Sequence, residues 1–65
     1  MKIINNTRFN YKQIGILIDE VINKTMGDTF YYGKINVCKA IINNVEIQIT
    51  IRYLKTYVEW RFNEI

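Results

Sequence analysis

Two hydrophobic periods divide this chain. From Ile14 the apolar side chains recur at Leu17, Ile18, Val21 and Ile22, with Thr25 one step further. That spacing gathers them on one face of an α-helix. Lys12, Asp19, Glu20, Asn23 and Lys24 fall on the other side. Asn10 is a residue type that accepts from the first unpaired N–H groups of a helix, and Gln13 can return the bond from three residues on. The pair predicts a helix starting after Asn10. Phe9 and Ile14 then hold the two positions of a hydrophobic staple across its first turn. Gly27, just past Met26, is the expected stop. Gly15 inside the helix costs about 1 kcal/mol relative to alanine; either another backbone approaches closely there or the glycine is simply tolerated. Ile16 lies off the apolar face and is expected to be exposed.

After Gly27 and Asp28 the period becomes 2. Val45, Ile47, Ile49, Ile51 and Tyr53 alternate with Glu46, Gln48, Thr50 and Arg52, and Val58, Trp60 and Phe62 alternate with Glu59, Arg61 and Asn63. Each run reads as a strand with one buried face. Asn43-Asn44 is a candidate tight turn, since asparagine tolerates positive φ. Lys55-Thr56 marks the second break. If Ile42 faces Val45 across the first turn, Ala40 faces Ile47 and Cys38 faces Ile49. If Leu54 faces Tyr57 across the second, Tyr53 faces Val58, Ile51 faces Trp60 and Ile49 faces Phe62. Both hairpins then send their apolar residues to the same side of the sheet. On the opposite side Arg52 meets Glu59, an opposite-charge cross-strand pair, and Thr50 meets Arg61.

Lys2-Ile3-Ile4 adds a candidate edge strand. The expectation is one α+β domain over residues 1–65, with one amphipathic helix packed on one face of an antiparallel sheet in the order β-α-β-β-β. One consequence follows from parity. Tyr31, Ile35, Val37 and Ile41 fall on the side away from the helix, interrupted by Gly33 and Lys39. A strand apolar on both sides needs cover on both sides, and one helix of about four turns covers only one. Ile35, Val37 and Ile41 are therefore the candidate self-association surface.

Composition sharpens this. Sixty-five residues are near the lower limit for a chain that folds unaided. The usual supports are disulfides, a metal or self-association. Cys38 is the single cysteine and histidine is absent. No internal disulfide can form, and no structural zinc site or other metal or cofactor is expected. Self-association remains. No apolar run approaches the ~20 residues that span a bilayer, so no membrane association is expected. The N-terminus turns polar after Ile3-Ile4, too soon for a signal-peptide core, and with a lone cysteine this suggests the reducing cytoplasm.

Chemistry is sparse. Serine and histidine are both missing, so neither Cys38 nor a threonine has the usual base beside it. Cys38 reads as a small buried hydrophobe. Asp19 and Glu20 are adjacent on a helix and diverge, Asp28 suits a turn, and the three glycines fit no phosphate-cradling loop. No enzyme is expected. The net charge of +3 comes from single lysines and arginines rather than a block. That excludes a basic arm but not attraction to an anionic partner. Trp60 and Phe62 share parity with the core. Tyr31, Tyr32, Lys39, Arg52, Tyr57 and Arg61 are the candidate contact residues, of types that stack on bases, pair with phosphates and serve as protein hot spots.

The expected function is a small non-enzymatic binding protein that self-associates and sequesters or blocks a partner, either a host protein or an anionic nucleotide-like ligand. The alternative is a nucleic-acid-binding regulator using the tyrosine and arginine face. The abundance of Ile, Asn, Lys and Tyr points to AT-rich coding. In size and composition the chain resembles the short proteins that viruses of low-GC bacteria encode against host defence. That resemblance implies an inhibitor from a phage.

Overall fold

The computed structural model describes residues 1–24 and 35–65. Its elements are β1 (Lys2–Asn6), α1 (Tyr11–Lys24), β2 (Ile35–Ile42), β3 (Val45–Tyr53) and β4 (Val58–Glu64). The helix begins as its cap residues require. Gln13 N–H donates to Asn10 Oδ1 at 2.9 Å, and Asn10 N–H donates to Gln13 Oε1 at 3.2 Å, closing a reciprocal capping box. Phe9 and Ile14 are both buried, as a staple demands. The link from β1 is organised by Asn5. Its Oδ1 accepts from Thr7 N–H at 3.0 Å, and its Nδ2 donates to the Phe9 carbonyl at 2.6 Å. The expected helix end at Met26-Gly27, and Thr25 on its apolar face, lie outside the described residues.

Four strands form one sheet in the order β1-β4-β3-β2. The β2–β3 register pairs Ile42 with Val45, Ala40 with Ile47 and Cys38 with Ile49. The β3–β4 register pairs Tyr53 with Val58, Ile51 with Trp60 and Ile49 with Phe62. Both match the registers expected from the two turns. Asn43 and Asn44 have φ of 50° and 66°, the left-handed pair that a two-residue hairpin turn needs. The second turn is closed by Leu54 N–H on the Tyr57 carbonyl at 2.9 Å.

The sheet is mixed rather than wholly antiparallel, because β1 runs parallel to β4. Topology forces this. The helix carries the chain back along the sheet, so β2 starts at the same end as β1. Two hairpins then reverse direction twice, leaving β4 parallel to β2 and hence to β1.

The core lies between the helix and one sheet face. Phe9, Ile14, Leu17 and Ile18 pack on Ile47, Ile49, Ile51, Tyr53, Trp60 and Phe62. The Trp60 and Phe62 rings stack with centroids 6.3 Å apart. Ile3, Val21, Cys38, Ala40 and Ile42 border this cluster. Two expectations need correction. Ile22 is exposed, and Val21 is the last described helix residue that borders the core. Of the two readings of Gly15, close approach does not hold: a Cβ added there would meet nothing within 4 Å among the described residues.

Candidate functional site

The face opposite the helix is the candidate site, and strand alternation builds it. Beside the core-facing residues of each strand stand Ile35, Val37, Lys39 and Ile41 on β2, Arg52 on β3, and Glu59 and Arg61 on β4. Ile35, Val37 and Ile41 are 58%, 56% and 71% exposed. They lie on an edge strand, away from the helix, where parity placed them. Lys39 sits between them, with Nζ 4.0 Å from Glu46 Oε1.

The middle of the face is polar in an unusual way. Glu59 points away from the core, yet it is only 5% exposed. Its Oε1 lies 3.4 Å from Arg61 Nη2 and 3.9 Å from Arg52 Nη1, and no donor among the described residues reaches it with hydrogen-bond geometry. Two half-exposed guanidinium groups thus share one buried carboxylate. The arginines are drawn over Glu59 instead of standing out as separate charges.

The candidate contact residues are only partly brought together. Lys39, Arg52 and Arg61 share one face. Tyr57 precedes β4 and is 40% exposed. Tyr31 and Tyr32 lie outside the described residues. Sequence reasoning found the Arg52–Glu59 pair but missed that Glu59 is buried and that Arg61 also serves it. The signal was present, since Glu59 and Arg61 are two apart on one strand and must share a side. A second feature gave no signal. Arg8 Nε and Nη2 donate to the Glu64 carboxylate, Nη2 at 2.7 Å, and Arg8 N–H donates to Glu64 Oε2 at 2.7 Å. This clamp fastens the β1–α1 link to the end of β4. The Arg8 hydrogen bonds hold the Glu64 carboxyl below the ordinary carboxylate range.

On the helix side, Cys38 is half-buried beside the core. Burial pushes the Tyr53 hydroxyl upward, against an opposing hydrogen bond with Asn36. A groove of about 280 Å³ runs between α1 and the end of β2, lined by Gln13, Ile16, Leu17, Glu20, Ile41 and Ile42. Ile16 is exposed, as expected, and stands at this groove. Among the described residues no three His, Cys, Asp or Glu side chains gather to hold a metal. No helix among them is long and apolar enough to cross a membrane.

Fold and face together define a small α+β domain with one sheet surface covered by the helix and the other left open by the described residues. No protein-family profile, curated protein or solved structure matches the chain.

Proposed function

We propose that this chain is a non-enzymatic binding protein that self-associates and holds a protein partner on its open sheet face. One observation carries the reading. Ile35, Val37 and Ile41 stand exposed on a single strand, on the side the helix does not cover. Aliphatic side chains in a row on open surface mark a contact site in a soluble domain. The charges beside them favour a protein over a nucleic acid. A phosphate-binding face needs cations free to replace counterions. Here Arg52 and Arg61 are engaged by Glu59, and Lys39 lies near Glu46. A blocking role against a host protein, in the cytoplasm and of viral origin, is the finer part of this proposal and rests on size and composition.

Light scattering across a hundredfold range of protein concentration tests self-association. The expected result is a mass that rises with concentration and falls to one chain in an Ile35→Lys/Ile41→Lys variant. A single-chain mass at every concentration overturns that half. Titration with a labelled oligonucleotide at low salt tests the partner class, and tight, steeply salt-dependent binding would overturn the preference for protein.

A further inference from the structure

We infer that a second copy of this chain docks along the open edge of β2, antiparallel, with a two-fold axis passing beside Cys38. The inference rests on the self-association proposed above and names its seam. It starts from the hairpin. In a two-residue turn the flanking residues, Ile42 and Val45, form a hydrogen-bonded pair, so the backbone groups of Ile42 point toward β3. Direction alternates along the strand. The groups of Ile35, Val37, Lys39 and Ile41 therefore point away from β3, toward the edge. The far side of the hairpin agrees: Glu46, opposite Ile41, gives its carbonyl to Ile65 N–H at 3.0 Å, on the β4 side.

β2 is the last strand of the sheet, so this row of N–H and C=O groups has no partner strand among the described residues. Edges of monomeric proteins are usually guarded by charged side chains, lysine above all, by proline, by a bulge or by a covering segment. The chain has no proline, and Lys39 is the single charge on β2. The edge is also self-complementary. Setting Cys38 opposite Cys38 of the partner subunit places Val37 against Lys39 and Ile35 against Ile41. Every outward N–H and C=O from Ile35 to Ile41 on both strands then pairs. Sliding the centre to Lys39 sets two like charges directly opposite, which is unfavourable. Sliding it to Val37 carries Ile41 past the start of the partner's β2.

Symmetry adds a second consequence. The axis stands perpendicular to the joined sheet, so both helices lie on one side and both apolar stripes on the other. The groove at Ile16 and Ile41–Ile42 opens beside the seam in each copy. The two exposed stripes become neighbours, and the surface proposed to hold a protein partner is complete only in the pair. Pairing β2 with β1 of the next copy would instead be head-to-tail, giving a ring or an open filament rather than a closed pair.

Disulfide trapping tests the register. Opposed residues of a non-hydrogen-bonded pair have Cα atoms about 4.5 Å apart, within disulfide reach. Diamide, which accepts the electrons and protons of the two thiols, is expected to convert the native protein to a Cys38-linked dimer. A Val37→Cys/Cys38→Ser variant, whose new thiols sit on a diagonal, should cross-link roughly tenfold more slowly. Light scattering on the same samples separates the failures. A single-chain mass at high concentration would bring down the self-association reading as well. A dimer in which Cys38 does not link, or whose Val37→Cys/Cys38→Ser variant links faster than the native protein, would overturn this seam alone.

Discussion

Glu59 offers the sharpest stability test, because its carboxylate and its two counter-charges sit in different environments. The Glu59 side chain is 6% exposed, while Arg52 and Arg61 are each 45% exposed. Removing one arginine leaves the other in place, so Arg52→Ala or Arg61→Ala should each cost about 1 kcal/mol, the scale of a half-screened ion pair. Removing both strands a buried carboxylate. Breaking a buried pair costs about 3–5 kcal/mol. Lys2, opposite Glu59 on β1, softens that penalty, so the expected total is about 3 kcal/mol. The coupling between the two arginines is then about 1 kcal/mol beyond additivity. Glu59→Gln placed in the double variant should recover most of the loss, because the stranded charge is gone. Glu59→Leu alone should cost little, since its former partners remain half-solvated.

Urea unfolding of the four-member cycle measures this, read as midpoint shifts at constant slope. All members must be compared at one low protein concentration, because association shifts apparent stability by mass action. Strict additivity with a total below about 1 kcal/mol would refute the reasoning, as it would mean that water already solvates the carboxylate.

Gly15→Ala should stabilise the chain by about 1 kcal/mol, since the new Cβ meets nothing within 4 Å among the described residues. For a domain of this size thermal unfolding should shift up by about 4–8 °C, and a decrease would show a contact that the helix backbone hides. Glu64 sets an acid-side dependence: its folded pKa is depressed below the ordinary 4.5 by Arg8, so its stabilisation is full above that value and lost as pH falls through the folded one. Glu64→Gln should flatten the acid limb of a stability–pH profile, and an unchanged limb would show that the clamp does not persist in solution.

The fold was legible where local chemistry and long-range pattern agreed. Asn10 and Gln13 announced a helix start that the reciprocal hydrogen bonds reproduce. Asn43-Asn44 set one register, and the apolar alternation around Lys55-Thr56 set the other. The parallel seating of β1 was less visible, because Lys2–Asn6 is short and carries no turn that ties it to a neighbour. Its place follows only once the direction of the helix is combined with both hairpins. The Arg8–Glu64 clamp was invisible for a plainer reason: its partners are 56 positions apart and share no period. At the candidate site, parity placed Ile35, Val37, Ile41, Arg52 and Arg61, because alternation is strict. It could not show how deeply Glu59 is buried, since that depends on which long side chains fold over it.

β2 also inverts the pattern that a self-sufficient edge strand would show. Its helix-facing residues are Asn36, Cys38, Ala40 and Ile42, three of them small or polar, while its larger aliphatics Ile35, Val37 and Ile41 face outward. A slip of one residue would exchange the two sets and bury the larger ones, with Lys39 among them. The Asn43-Asn44 turn forbids that slip, because its two left-handed residues set Ile42 opposite Val45. The turn thus holds β2 in a register that keeps Lys39 in solvent and leaves the larger aliphatics outward with it. A monomer gains only the solvation of Lys39 from that arrangement, whereas the proposed pairing and partner contact would use the large side chains where β2 puts them. That contrast is the physical reason for reading the outward stripe as contact surface rather than as solvated sheet.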